Sequence, residues 1–138
     1  MKNYLYTLLM SAVILVMDVV SKTFIVDYFE TGGSVDYLNG FLRIALVYNQ
    51  GGVFGIFQGK KMFFLVLSVV VLILMILYYV LEKHKSLLFN TSMAMIMGGA
   101  VGNIIDRLIP GRPGVVDFVS VGVDGFYRWQ SFNVADSA

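Results

Sequence analysis

Three long apolar stretches constrain this chain more than any other feature of its sequence. They cover about residues 4–25, 62–81 and 87–105. At a rise of 1.5 Å per residue, each is long enough to cross the hydrocarbon core of a bilayer as an α-helix. With 58% hydrophobic and 14% charged residues, the chain is too apolar for an ordinary soluble domain. We therefore expect a mainly α membrane protein, a small transmembrane helix bundle with three spans, forming a single domain over residues 1–138.

The segments outside these spans, residues of about 27–61 and 107–138, have a different pattern. Asn39-Gly40 and Asp124-Gly125 each lie between short apolar runs. Such dipeptides favour the type I′ turns of β-hairpins, so we expect two hairpins and a small β element lying on the membrane. This interpretation assigns Asp124 to a turn and not to catalysis.

Several reaction classes are excluded or disfavoured by the residues that the chain lacks. It has no cysteine, one histidine (His84) and a net charge of +1. There is thus no thiol nucleophile, a Ser-His-Asp triad is disfavoured, and the charge indicates no nucleic acid. Ser21 and Lys22 are adjacent and point about 100° apart on a helix, so they do not form a serine–lysine dyad. We expect no metal and no cofactor.

The third apolar stretch carries small residues on one face and an acid at its end. Ala94, Gly98, Gly102 and Asp106 fall on one helical stripe, and Asn103 lies on the next. Small residues at this spacing predict close packing against another helix. An ionisable group at a membrane helix is costly and usually marks a functional site. A packing stripe that ends in an acid without function is the simpler alternative.

Asp18 and Lys22 in the first stretch are four residues apart, in the order that favours an ion pair on a helix. A functional ion pair inside the bundle is one interpretation. The other is that both side chains extend to the membrane interface, where their charges reach water.

Hydrolysis of an amide by a pair of aspartates remains possible, and four aspartates are candidates for that pair. Two close carboxyl groups share one proton; the ionised one takes a proton from water, and the protonated one supports the carbonyl oxygen. Spacing alone does not choose the pair. Burial among valines should raise the pKa of Asp117. Asn103 and Arg107 lie beside Asp106 and favour a permanently charged structural acid at that position. The candidates are Asp18, Asp106, Asp117 in the valine-rich segment, and Asp136, with Asp106 as the structural acid.

Five short motifs together make the sequence similar to the bacterial lipoprotein signal peptidases, also called signal peptidase II or prolipoprotein signal peptidases. Each motif is weak alone, but five in the right order are very specific. The motifs are Asp18-x-x-Ser21-Lys22, Asn49-x-Gly51-x-x-Phe54-Gly55, Gly98-Gly99-Ala100-x-Gly102-Asn103-x-x-Asp106-Arg107, Val115-Val116-Asp117-Phe118 and Phe132-Asn133-x-Ala135-Asp136-Ser137.

The resemblance implies an aspartyl endopeptidase of the bacterial cytoplasmic (inner) membrane with its active site at the extracytoplasmic face. It implies cleavage of the signal peptide from prolipoproteins, N-terminal to a diacylglyceryl-modified cysteine, in contact with membrane lipids. We expect a monomer. By this resemblance, Asp117 and Asp136 are the catalytic pair. Supporting or substrate-binding roles fall to Asp18, Lys22, Asn49, Gly51, Asn103, Asp106, Arg107 and Asn133.

The sequence departs from the family pattern in three places. Val53 stands where the family usually has a small residue, and the turn over residues 110–114 is longer than usual. The family has a fourth transmembrane helix after Asp136, whereas this sequence ends two residues later, so we expect three spans and a loosely held Asp136. An alternative function is therefore a catalytically impaired binder of lipidated signal peptides. A channel or proton-coupled carrier using its intramembrane acids is a third hypothesis.

Charge gives a conflicting indication of orientation. Lys2, Lys83 and Lys85 lie on one side of the membrane, and seven basic residues lie on the other. The positive-inside rule would put Lys2 outside. The family resemblance puts it inside, and we follow the resemblance.

Overall fold

The computed structural model describes residues 2–51 and 59–138. Within them it has three long helices, one short helix and four strands. In chain order these are α1 (Lys2–Tyr28), β1 (Ser34–Tyr37), β2 (Leu42–Asn49), α2 (Lys61–Leu81), α3 (Leu87–Leu108), β3 (Val115–Val123), β4 (Tyr127–Arg128) and α4 (Val134–Ser137).

The helices α1, α2 and α3 are each long and apolar enough to cross a membrane. Together with the small sheet they confirm the expected fold class. Both α1 and α3 extend about one turn past the predicted spans. Helix α3 packs against α1 and α2, while most side chains of α2 are exposed apolar residues, as expected of a helix that faces lipid.

Small residues of α3 allow a close approach to α1 and to the last residues of the chain. A Cβ atom on Gly98 would lie 2.6 Å from the backbone oxygen of Ser11, and one on Gly99 would lie 2.6 Å from that of Ala135. Gly102 similarly faces the carboxylate of Asp18. The predicted small-residue stripe is therefore the α1–α3 interface, and it leads directly to an acid.

The four strands form one antiparallel sheet in the order β1-β2-β3-β4. Its first hairpin has the predicted turn at Asn39-Gly40. The backbone amide of Phe41 donates to the oxygen of Leu38 at 3.1 Å, and Asn39 and Gly40 both have positive φ, as a type I′ turn requires. A second turn overlaps it, because the backbone amide of Gly40 donates to the oxygen of Tyr37 and Leu38 also has a positive φ.

The second hairpin has the turn at Asp124-Gly125, as predicted. The backbone amide of Phe126 donates to the oxygen of Val123 at 3.2 Å. Of the two central residues only Gly125 has a positive φ, so the turn is not type I′.

The sheet packs on the end of α1 through a small apolar core. Its buried members are Ile25 of α1 and Phe29 directly after that helix, with Val116 and Phe118 of β3. Because α1 holds one face of the sheet, the other face of β3 carries its alternate side chains toward α3 and α4. The core thus fixes where Asp117 points.

Candidate functional site

Asp117 lies in the middle of the sheet with only 2% of its surface exposed. Its partner across the ladder is Val47 of β2, so Asn49, two residues on, shares its face. The side-chain amides of Asn49 and Asn133 both hydrogen-bond to Asp117, that of Asn133 from 2.8 Å. The oxygen of Asn49 accepts from the backbone amide of Gly51, which leaves its NH2 group for the carboxyl group.

Burial and, after it, the negative charge of Asp136 raise the pKa of Asp117 from 3.8 to about 7. The amides of Asn49 and Asn133 and the charge of Lys22 oppose this rise. Desolvation is the largest cause, as expected for a carboxyl group enclosed between valines. Asp117 therefore readily holds a proton near neutral pH.

Asp136 lies on α4, and Asn133 caps that helix. The backbone amide of Asp136 donates to Asn133 Oδ1 at 2.8 Å, while Asp136 Oδ2 accepts from the backbone amide of Asn133. The backbone amide of Ala135 donates to Asp18 Oδ1 at 2.9 Å, and Asn103 Nδ2 donates to Asp136 Oδ1 at 3.0 Å. The expectation of a loosely held Asp136 is wrong, because a helix cap and two side chains of α1 and α3 hold this segment.

Two asparagines connect the two carboxyl groups. Asn133 is 1% exposed, and its NH2 group donates to Asp117 Oδ1, to the backbone oxygen of Val116 and to Asn103 Oδ1. Asn103 in turn donates to Asp136. Amide groups therefore contact both acids and join them through a chain of hydrogen bonds.

A cluster of four charges lies behind these amides, inside the helix bundle. Lys22 Nζ lies 2.6 Å from Asp18 Oδ2 and 2.9 Å from Asp106 Oδ2. Arg112 pairs with the other oxygen of Asp106, whose Oδ2 also accepts from the backbone amide of Val116. Two acids and two bases compensate each other, as buried charges must.

This cluster corrects two expectations. Asp18 and Lys22 are 0% and 2% exposed, so they do not extend to the interface. The partners of Asp106 are Lys22 and Arg112, and not the adjacent Arg107, because neighbouring residues on a helix point in different directions. Sequence reasoning did not select Arg112; its position in the long turn beyond Asp106 was the available signal.

Arg107 connects α3 to the segment that carries Asn49. Its guanidinium group donates to the backbone oxygen of Asn103 at 3.2 Å and to that of Gly51 at 3.3 Å. Arg107 thus holds the backbone of Gly51 near the two acids, which explains how a basic residue of α3 belongs to the site without pairing with a carboxylate.

A cavity of about 690 Å³ joins these groups, and both Asp117 and Asp136 line it. We call it the site cavity. One wall is polar and comes from β2, α3, β3 and α4. The other wall is mainly apolar, and sequence reasoning missed it; Ser68, a polar residue in the middle of α2, was the available signal. That wall comprises Phe64, Leu67, Ser68 and Val71 of α2, with Trp129 and Phe132 closing one side.

All ten site residues named from the sequence belong to one connected network in the described part of the chain. The Phe54-Gly55 end of the second motif, and Val53, lie outside the described residues. Within the described ranges, 2–51 and 59–138, no group of three or more acidic, histidine or cysteine side chains could hold a metal ion.

Comparison with known proteins adds an independent finding. The family described as Signal peptidase (SPase) II matches residues 10–138. A lipoprotein signal peptidase of Staphylococcus haemolyticus is 37% identical over 99% of this chain and 86% of its own length. One from Staphylococcus aureus is 30% identical over 96% of this chain and 79% of its own length.

Two solved structures of bacterial membrane enzymes, both determined by the in meso method, have the same fold. The structure at 2.3 Å resolution has a TM-score of 0.83 and 30% identity, over 96% of this chain and 79% of that one. The structure at 1.9 Å has a TM-score of 0.79 and the same identity, over 96% of this chain and 83% of that one.

Proposed function

Because this chain belongs to the signal peptidase II family of aspartic peptidases, we propose that it cleaves the signal peptide from diacylglyceryl-modified prolipoproteins, N-terminal to the lipidated cysteine. Asp117 and Asp136 activate the attacking water in this proposal. The observation that carries it is that both acids line one cavity and are connected through the amides of Asn103 and Asn133.

The different surroundings of the two acids support an assignment of their shared proton. Burial and the charge of Asp136 raise the pKa of Asp117 to about 7, so Asp117 is the protonated member. Asp136 is then the ionised base. Asn103 and the backbone amide of Asn133 each donate a hydrogen bond to its carboxylate and hold it at the cavity.

Hydrolysis then follows in two proton transfers. Asp136 takes a proton from a water held between the acids, and the resulting hydroxide attacks the scissile carbonyl carbon. Asp117 donates a hydrogen bond to the carbonyl oxygen and stabilises the tetrahedral intermediate. The C–N bond breaks as the leaving amine receives the proton from Asp136, and no covalent intermediate with the enzyme forms.

The two walls of the site cavity suit the two parts of the proposed substrate. The apolar wall, with Phe64, Leu67 and Val71 of α2, can accept the apolar end of a signal peptide or an acyl chain. The polar wall presents Asn49 and Arg107 to a peptide backbone. A lipid-modified peptide is a substrate that needs both kinds of surface.

We further propose that the site cavity faces the extracytoplasmic side of the cytoplasmic membrane and that the chain is a monomer. The excess of basic residues on the cavity side does not contradict this orientation, because most of these residues form hydrogen bonds or ion pairs within the fold. Six of the seven donate to protein groups: Lys22, Arg43, Lys61, Arg107, Arg112 and Arg128. Charges held by partners in the fold are weak indicators of topology.

Orientation can be measured directly, because the chain has no cysteine. We expect His84→Cys in the α2–α3 loop to resist a membrane-impermeant thiol reagent in intact cells, and Leu38→Cys in the first hairpin turn to react. The reverse pattern would contradict the proposed orientation.

Cleavage is tested with purified protein in lipid and a diacylglyceryl-modified precursor. We expect Asp117→Asn and Asp136→Asn each to lower turnover by at least about 10³-fold, because either change removes one role in proton transfer. Asp27→Asn is the matched control, since Asp27 is exposed at the end of α1, and it should retain wild-type turnover.

Three results would contradict this proposal. Wild-type turnover in either variant would remove that aspartate from the mechanism. Precursor binding by the wild-type chain without any cleavage would support the impaired-binder alternative. Ion or proton flux through liposomes without proteolysis would support a channel or carrier instead.

A further inference from the structure

Lys22 lies deep inside the bundle and is 2% exposed. Its ammonium group forms two ion pairs, at 2.6 Å from Asp18 Oδ2 and 2.9 Å from Asp106 Oδ2. It also donates a hydrogen bond to Asn103 Oδ1 at 2.9 Å. The two ion pairs compensate charge, and the hydrogen bond to Asn103 requires another explanation.

Charge compensation alone does not account for the contact with Asn103. Asp106 also pairs with Arg112 and accepts from the backbone amide of Val116. Asp18 also accepts from the backbone amide of Ala135. Each acid therefore has another partner, whereas the contact from Lys22 to Asn103 adds no ion pair.

The contact determines which end of the Asn103 amide faces Asp136. The oxygen and the NH2 group of an amide have nearly the same shape, and their positions depend on the hydrogen-bond partners. Lys22 can only donate, so the amide oxygen faces it. The NH2 group then faces Asp136 and donates to Oδ1 at 3.0 Å. Asn133 Nδ2 donates to the same oxygen of Asn103 at 3.2 Å and supports this orientation.

The opposite orientation would place the oxygen of Asn103 against the carboxylate of Asp136. Two acceptors without a hydrogen between them repel, so Asp136 would move away or take up a proton. Either change would remove an ionised base from its working position, and catalysis by positioned groups is sensitive to displacements of about 1 Å.

We propose that Lys22 is a positioning residue that acts through Asn103: it fixes the amide so that its NH2 group holds the Asp136 carboxylate in place for hydrolysis. This inference rests on the proposed function, in which Asp136 is the base.

Two variants of the same charge separate orientation from electrostatics. Lys22→Gln and Lys22→Met both remove the positive charge, and their side chains are similar in length. Only glutamine can still donate to Asn103. We expect Lys22→Met to lower kcat by about 10- to 100-fold with KM within about 2-fold of wild type. Lys22→Gln should retain at least about five times the kcat of Lys22→Met.

The pH profile provides a separate check on charge. Lys22 pairs with Asp18 on its own helix and with Asp106 on α3, and Arg112 pairs with the other oxygen of Asp106. Asp136 lies beyond Asn103, and Asp117 beyond Asn133. The charge of Lys22 lowers the pKa of Asp117, so both variants should move the basic limb of the kcat profile to higher pH equally. A kcat difference between them at the optimum of each then reports hydrogen bonding alone.

Removing Asn103 completes the test. In an Asn103→Ala protein, Lys22→Gln and Lys22→Met should have the same kcat, because the group through which Lys22 acts is absent. If both Lys22 variants unfold, the pair is compared in an Asp18→Asn background. In that background the cluster has lost the acid Asp18 and the base Lys22, so Asp106 and Arg112 remain and their charges balance.

The inference is overturned if the two variants have equal kcat while Asn103 is present, or if their difference persists in Asn103→Ala. Both outcomes are distinguishable from failure of the proposed function. Cleavage by the wild-type protein and its loss in Asp117→Asn would stand unchanged in either case.

Discussion

Two buried polar clusters connect α1 to α3 at opposite ends of the bundle, and they use different chemistry. At the end near the α2–α3 loop, Tyr79 bonds Thr7 at 2.8 Å and Asn90 at 2.9 Å. All three residues are neutral and at most 5% exposed. At the site end, the cluster of Asp18, Lys22, Asp106 and Arg112 is ionic and almost as deeply buried.

The comparison indicates what each cluster is for. Neutral hydrogen bonds are sufficient to hold helices together in lipid, and their desolvation cost is moderate. Four buried charges cost more and give no advantage for adhesion alone. The ionic cluster is instead joined to Asn103 and Ala135, next to the two acids of the site cavity. We therefore propose that it positions those acids, a role that fits ionisable groups at membrane depth.

The largest expected difference between the clusters is in stability. Asp106→Leu leaves Arg112 and the backbone amide of Val116 without their acceptor and Lys22 with one acid fewer, so we expect a loss of about 3 to 5 kcal/mol. Asn90→Leu leaves Tyr79 bonded to Thr7 and should cost about 1 to 2 kcal/mol. Thermal unfolding in detergent micelles measures both, and equal losses would refute the distinction.

Asp117 extends the comparison of buried groups, because this buried acid forms no ion pair with any cation of the described residues. Its pKa is 3.8 in the unfolded chain and about 7 in the fold. The folded state therefore binds the extra proton between these values, and stability falls as pH rises from about 4 to 7. Asp117→Asn should raise stability by about 2 to 4 kcal/mol at pH 8 and leave it nearly unchanged at pH 4. Melting curves at the two pH values test this; a pH-independent change would contradict it.

Tyr79→Phe separates adhesion from positioning. It removes one hydroxyl group from the neutral cluster and keeps the ring that stacks on Phe89. We expect a loss of about 1 to 2 kcal/mol in stability and unchanged precursor cleavage. A marked fall in kcat below the melting temperature would show that the neutral cluster also supports the site.

The smallest effect is expected where the same charges face water. Arg43 pairs with Asp36 and Asp124 on the sheet surface. Its hydrogen bond holds the pKa of Asp36 below the usual value, and hydrogen bonds from Arg128 and then Arg43 do the same for Asp124. The resulting stability is present above about pH 4 and is lost as pH falls below it. Arg43→Gln should lower the melting temperature slightly at pH 7, and about 1 M NaCl should remove most of the difference. A large effect that persists in salt would show that burial does not distinguish the cluster at the site end from the surface ion pairs of Arg43.

The sequence by itself determined the elements of this protein. Hydrophobic runs are local, and they located all three long helices to within about a turn at each end. Turn dipeptides located both hairpins, and the spacing on α3 identified the stripe that packs on α1. The motif order also named ten residues, nine of them polar, that the fold brings into one network.

The tertiary structure alone decided which of these groups contact each other. The choice of Arg112 over Arg107 as the partner of Asp106, the two asparagines that connect Asp117 to Asp136, and the apolar wall from α2 follow from packing. The contacts that hold the segment of Asp136 also depend on neighbours distant in sequence, Asn103 of α3 and Asp18 of α1. Periodicity reports which face of an element is apolar, but ion pairs and amide orientations depend on distances of a few ångströms between separate elements, which no local pattern contains.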